Sequence, residues 1–467
     1  MLDIALLGFI ALFLLAGLKR PFLWVLAYIY IDVVAPQKMG WGPIQAIPVS
    51  LIAFAAAFGG WLLLDSKHGS RFTFRQGLIA ALLAYCGLTT LSAAYPEAAL
   101  EKWDWVWKAL VFAMFLPLAV RTRLRLEAVA LFMVLAIGTI IINGGIKTVL
   151  GGGGYGELRL LVTEDSGLYE SSILSTAAIA TIPLVLWLAR YGTIFPPDWR
   201  VRLYAAGMVF ACLLIPIGTA ARTGLVCAAV LGVLMLRSVR YRFLYAGLAV
   251  ALLAVALPFL PQSYVQRMDT IGNYQSDESA STRIQVWKWT MDYAAANPMG
   301  GGFDAYLGNS FTYRTRKLVG TPPNVSVQYE TVTDKARAYH SSYFEMLGEQ
   351  GYPGLLLWLW LQGLGLWQME RIRWRYGRKP ADAEDNNGPA SWQRGLATAL
   401  QQSQLTYLVG AAFVGIAYQP FIFMLIGLQC ALWSYVKRVD GAPRRARFRR
   451  PEAESEADEA ERLPVSA

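Results

Sequence analysis

His340 is one of two histidines in the chain. It stands in AYHSSYFEMLGEQGYPG, just ahead of the apolar run LLLWLW. An imidazole titrates near neutrality, so here it can serve as a general base or anchor a helix end to water. Spacing alone leaves both open. The other histidine, His68 in DSKHGSRF, has no chemistry-bearing neighbours. On an ideal helix His340, Phe344, Leu347 and Gly351 share one face, while Glu345 and Glu349 point elsewhere, so neither glutamate is expected to orient the imidazole. Glu349 lies about 13 Å further along at about 1.5 Å per residue. It must sit in a wet mouth or pair with a cation on a neighbouring helix. Pro353 leaves the Glu349 carbonyl without its helical donor, which loosens this part of the helix.

Two arginines are the next candidates. Arg222, in IGTAARTGLV, stands between two apolar runs. It can snorkel to the interface, or it can bind an anion with its guanidinium fork and the N–H groups that open the following helix. Arg283 begins STRIQVWKWTMDYAAANPMGGG, where a solvated helix-start arginine is the plainer reading. The other cations of that segment (Arg267, Lys288, Arg314, Arg316, Lys317, Lys335 and Arg337) nearly balance its acids. The pattern favours a few arginines focused on one anion over a diffuse polyanion surface. A metal site is not expected, because His340 has no histidine partner and the outer loops lack a DxD-type pair.

The elements that must position these residues are apolar. The chain is 55% hydrophobic and 16% charged, with 16 tryptophans and a mean hydropathy of +0.39. That charged coat is too thin for a soluble protein of this length. Apolar runs of bilayer-crossing length recur along the chain, and predict helices at 2–18, 22–35, 47–64, 78–93, 107–120, 126–143, 172–189, 203–218, 223–236, 243–260, 343–369, 403–417 and 421–436. The fold class expected is an all-α polytopic membrane protein with 12–13 transmembrane helices and one large, partly helical extracytoplasmic loop. The lower count applies if 22–35, which is short and contains Asp32, is re-entrant. The first segment lacks a basic n-region and a small-residue cleavage site, so it reads as a retained helix. The net charge of +10 does not indicate nucleic acid. The basic residues sit in short clusters, around Arg121–Arg125 and Arg371–Lys379 for example, which are orientation signals for the cytoplasmic side. Placing them all inside puts the N-terminus outside and the C-terminus inside. The four cysteines fall in predicted helices and suggest no disulfide framework.

This topology leaves four outer features. AYPEAALEKWDWVW, at 94–107, reads as a short loop whose tryptophans fit an aromatic belt. GGGGYGE reads as a flexible connector, and GTAARTG as a tight turn. The segment 261–342 is the largest. It is rich in aromatics, with a helix capped by Ser281 or Thr282 and ended after Ala296 by Asn297-Pro298 and the glycines. The domain division expected is 1–202 for N-terminal helices, 203–360 for the core with loop 261–342, 361–436 for C-terminal helices, and 437–467 for a disordered cytoplasmic tail. The arginines of that tail would lie against anionic membrane lipid.

Three blocks in order, TAARTG, STRIQVWKWTMDYAAANPMGGG and HSSYFEMLGEQG, resemble the O-antigen ligase and Wzy-type polymerase superfamily. The blocks cover about 203–360. The YPEAALEKWDWVWK segment looks like the O-glycosylation ligase branch associated with exosortase A systems. One departure is the turn TAAR, where many relatives carry a serine-rich SxSR, so its anion site has fewer hydroxyl donors.

The resemblance implies transfer of a glycan from an undecaprenyl-diphosphate carrier to an acceptor hydroxyl on a protein or lipid, with no metal and no cofactor. It implies a site at the periplasmic face of a bacterial inner membrane. Arg222 and Arg283 would bind the donor diphosphate, and His340 would take the acceptor proton. Tyr343 and Glu349 are supporting candidates. The sister activity, a polymerase extending the carrier-linked glycan, would use the same site. A lipid-linked sugar transporter is the reading from another class. Transporters place polar residues near the midplane, whereas these candidates lie at the outer surface.

Overall fold

The computed structural model describes residues 2–40, 42–67, 69–150, 167–237, 278–319, 326–377 and 389–441, with a few more between 241 and 251. The chain is largely α-helical. In order, the long helices are α1 (Leu2–Lys19), α2 (Phe22–Val34), α3 (Val49–Leu63), α4 (Phe74–Leu91), α5 (Pro96–Ala119), α6 (Arg123–Leu150), α7 (Ser171–Tyr191), α8 (Trp199–Gly218), α9 (Arg222–Leu236), α10 (Glu278–Ala296), α11 (Ser342–Gly377), α12 (Pro389–Ala411) and α13 (Pro420–Gly441). Among the described residues, 5 helices are long and apolar enough to cross a membrane: α4, α6, α7, α8 and α13. Shorter apolar helices include α2, α3 and α9. This is the pattern of a polytopic membrane protein.

Every expected helix except 243–260 coincides at least in part with an observed one. That segment lies largely outside the described residues, as do His68, the GGGGYG run and the 442–467 tail. α13 is the axis of the bundle: Phe421, Ile422, Leu425, Ile426 and Leu428 are all fully buried, as expected of a helix apolar on every side. It packs on α5, α11 and α12, while α7 packs on α12, α8 and α9.

A buried polar chain ties the elements on one side of α13 together. Arg75 of α4 donates to the Leu361 carbonyl (3.1 Å) and to Gln429 Oε1 (2.7 Å). Gln429 donates to Gln404 Oε1 (2.9 Å), and Gln404 to Gln362 Oε1 (2.6 Å). In an apolar surround such groups must find one another, so they fix the register of α4, α11, α12 and α13.

Three boundaries and one element differ from expectation. α5 begins at Pro96 rather than 107, so 94–107 is not a loop. Proline suits the first helical position, and Glu97 suits the first turn of the dipole. Trp103 faces Phe303 and Trp107 faces Phe54, both tryptophans half-buried, while Trp105 stays exposed. α6 runs on through Gly144 and Gly145 to Leu150. The helix expected at 403–417 is Pro389–Ala411. Ser391, Gln393, Arg394, Gln401 and Gln402 lower the apolarity of its first part, so a hydropathy reading places the span further toward the C-terminus. Finally, the chain is not purely α. β1 (Ser310–Val319) and β2 (Ser326–Lys335) form an antiparallel hairpin, in register from Ser310↔Lys335 to Val319↔Ser326. Aromatic and β-branched residues recur through both strands.

Candidate functional site

The site is built on a backbone-to-backbone contact between the end of α10 and a break in α11. Gly351 has φ 62° and ψ −165°, and interrupts α11. The segment Pro298–Gly302 lies in that break. Gly301 N–H donates to the Gly348 carbonyl (3.0 Å), Gly302 N–H to the Glu349 carbonyl (2.9 Å), and Tyr352 N–H to the Pro298 carbonyl (3.0 Å). The carbonyl that Pro353 strands thus finds its donor in Gly302. A Cβ on Gly300 would strike the Glu349 carbonyl, and one on Gly351 the Pro298 carbonyl. Both glycines also have positive φ, so their type is dictated twice over.

Glu349 and Glu345 lie one turn apart on α11 and turn to a cation on a neighbouring helix. Lys102 Nζ of α5 is 2.7 Å from Glu349 Oε1, 2.8 Å from Glu345 Oε1 and 3.4 Å from Asp304 Oδ1. Glu349 is fully buried. Of its two options, a wet mouth or a cation on a neighbouring helix, the structure shows the second. An ammonium fills the space among the three carboxylates. Glu345 Oε2 also accepts from Ala417 N–H (3.0 Å), and Glu349 Oε1 from Asp304 N–H (3.0 Å).

His340 is not on the helix, so the shared face with Phe344 and Gly351 does not exist. It sits in the turn before α11 with φ 46°, in the left-handed region. Such strain persists only where neighbours over-determine it, and it concentrates at functional sites. The neighbours are specific. Trp287 Nε1–H donates to the Tyr339 carbonyl (2.9 Å), and its ring stacks on Phe344 at 5.0 Å. Asn309 pairs with Arg337 on both sides, accepting from its N–H (2.8 Å) and donating to its carbonyl (2.7 Å). Ser342 Oγ, fully buried, donates to the Val414 carbonyl and accepts from Ile416 N–H, each at 2.9 Å.

The electrostatic setting joins residues far apart in sequence. Burial, then the guanidiniums of Arg283 and Arg337, push the His340 imidazole down to about 4. The charges of Arg283 and Arg337 are thus both felt at His340. Arg337 also pairs with Asp334 and approaches Thr282 Oγ1 at 3.5 Å. Sequence reading left Arg337 among loop cations balanced by acids, and Lys102 in a presumed loop. The one legible signal for Lys102 was the demand of Glu349 for a cationic partner.

Arg222 opens α9 after a sharp turn in which Ala220 has φ 50° and Ala221 N–H donates to the Pro216 carbonyl (3.0 Å). Ser175 and Thr219 hydroxyls bond across that turn at 3.0 Å. Cys227, about 7.5 Å further along α9, meets the Thr406 carbonyl of α12 at 3.6 Å. Two residues on, the Leu408 carbonyl accepts from Tyr343 OH (3.1 Å). The start of α9 is thereby linked through α12 to the start of α11. Tyr343 itself points into the bundle, its ring edge-on to Trp358. Its hydroxyl is engaged with backbone, so it supports the helix end. A cavity of about 400 Å³ lined by Leu131, Val185, Arg200 and Tyr204 lies at the other end of α8 from this turn.

Comparison with known families follows this geometry. Residues 206–359 match the O-antigen ligase family. Residues 1–193 match a family of unknown function (DUF5935). A search of curated proteins finds no match to the chain. The first match spans Arg222, Arg283, Arg337, His340 and Glu349, while Lys102 belongs to the second. The ligase match and the apolar helices together support a role in glycan transfer at a membrane.

Proposed function

We propose that the protein transfers a glycan from an undecaprenyl-diphosphate carrier to the hydroxyl of a protein or lipid acceptor, at the periplasmic face of a bacterial inner membrane. The observation that carries this reading is a histidine in a strained turn, held neutral by burial and by the charges of two arginines, inside the region that matches the O-antigen ligase family. The acceptor oxygen attacks the anomeric carbon as His340 removes its proton. The bond from that carbon to the diphosphate oxygen breaks, and the lipid diphosphate leaves with the electron pair. Arg283 and Arg337, with Arg222, stabilise the charge that grows there. His340 then releases its proton to water.

The same arginines make the base respond to the donor. After burial, they are what holds the imidazole down in the free protein, and a bound diphosphate offsets their charge, which raises the basicity of His340 when donor is present. The likeness of YPEAALEKWDWVWK to the exosortase-associated branch favours a protein acceptor. The test is to remove the protein from its cell and analyse the carrier-linked glycan. A ligase loss leaves full-length glycan on the carrier, facing the periplasm. Single repeat units on the carrier would replace this reading with a polymerase, and units facing the cytoplasm with a transporter.

A further inference from the structure

The residues around His340 do not stand alone, because two arms of structure run from them to one lysine. The first arm leads from Lys102 to Glu345 and Glu349, the first turns of α11. Gly348 of that stretch packs so closely on Tyr339 that a Cβ there would strike the phenol oxygen, and Tyr339 precedes His340. The second arm leads from Lys102 to Asp304, which opens the 3-10 turn Ala305–Gly308. Tyr306 of that turn meets Tyr339 edge-on at 5.6 Å, and Asn309 just after it clamps Arg337. Both arms end at the histidine turn.

The composition of the cluster argues for a purpose beyond packing. A buried ion pair rarely outperforms apolar residues of the same volume. Here one ammonium faces three carboxylates, and Glu349 Oε2 is buried without a partner. What such a cluster gains is a fixed geometry. Lys102 is also gripped from the sides, 5.7 Å from the Phe303 ring and 5.2 Å from the Tyr418 ring. Its side chain is only 12% exposed. The lysine lies in the region matching the family of unknown function, and its partners lie in the region matching the O-antigen ligase family.

We propose that Lys102 is the positioning residue of the His340 site, and that the N-terminal region exists in this chain to supply the base on which that site is assembled. The proposal rests on reading His340 as part of the reacting site. Lys102 touches neither donor nor acceptor. It sets the height and angle of the histidine turn against the glycine segment, and so the reach of the imidazole toward an acceptor hydroxyl.

Lys102→Met alone leaves three carboxylates facing no cation and can simply fail to fold. The decisive variant is therefore Lys102→Met combined with Glu345→Gln and Glu349→Gln, which neutralises the two buried carboxylates, leaves only the partly exposed Asp304 charged, and keeps the shape. The full chain, in detergent micelles, is followed by hydrogen–deuterium exchange and by glycan transfer. We expect amides of 300–309 and 336–345 to exchange at least about tenfold faster, while α7 and α13 keep wild-type rates. We expect kcat to fall about 100-fold with the donor KM little changed, because a small misplacement of a reacting group costs that much. Lys102→Arg should recover part of both. Wild-type exchange and wild-type kcat in the triple variant would overturn the proposal. Faster exchange supports the positioning role even if the wild-type protein transfers no glycan, a result that overturns only the functional reading.

Discussion

At the scale of single residues, the chemistry turns on why His340 is neutral and what can change that. Burial and two guanidiniums hold its folded-state value near 4, below the ordinary value of about 6.5. Between those limits the unfolded chain binds the proton and the folded chain does not. Stability from this group is therefore full above about pH 6.5 and is lost as pH falls toward 4. In the proposed catalysis the same shift keeps the imidazole unprotonated across the physiological range. The acid limb of kcat/KM, which reports the free protein, should lie at about pH 4. The limb of kcat, which reports the donor complex, should lie at higher pH, because the diphosphate offsets Arg283 and Arg337. Arg337→Gln should move the first limb toward the second. Coincident limbs in the wild type would deny that the donor tunes the base. Sequence made Arg222, Arg283 and His340 visible by their type and place. It hid Arg337, because a balanced charge count says nothing about which cation faces which group.

At the scale of elements, the site depends on a helix that is broken on purpose. Pro353 and Gly351 open α11, and the glycine segment fills the opening with its own N–H donors. Gly351→Ala should cost at least about 1–3 kcal/mol from the backbone strain alone, and more from the contact with the Pro298 carbonyl. Gly363, further along α11, has open space where a Cβ would go. Gly363→Ala should stabilise by up to about 1 kcal/mol through helix propensity. Thermal unfolding of the two variants in micelles separates these effects, and an unchanged midpoint for Gly351→Ala would refute the docking described. Pro353 and the glycines were legible as punctuation, but the partner of each was not. The hairpin was missed for a different reason. Its strands interleave Arg314, Arg316, Lys317, Glu330, Asp334 and Lys335 with the apolar residues, and no Asn-Gly or Asp-Gly turn joins them.

At the scale of the whole molecule, apolar runs made most helices readable, since crossing length and composition are local. The start of α5 was not, because its first turns carry Glu97, Glu101 and Lys102 and look like loop. Of these, Lys102 faces a partner about 240 residues away in sequence, as its pair with Glu345 shows, while Glu97 and Glu101 are exposed. The orientation proposed from the basic clusters has a direct check. The native cysteines Cys86, Cys212, Cys227 and Cys430 are all buried, so background labelling should be low. A membrane-impermeant maleimide applied to intact spheroplasts should label Thr331→Cys, at an exposed position of β2, and spare Lys67→Cys. The reverse pattern would turn the site to the cytoplasm and remove the periplasmic donor from the account.

The central claim is that His340 takes the proton from the acceptor hydroxyl. The most direct measurement compares glycan transfer from a carrier-linked donor by the wild-type protein and by His340→Ala, each shown to be folded by its unfolding midpoint. The account predicts a fall in kcat of about 10²–10⁴, with donor affinity nearly unchanged because the arginines remain. Transfer at the wild-type rate by the folded His340→Ala protein would contradict it.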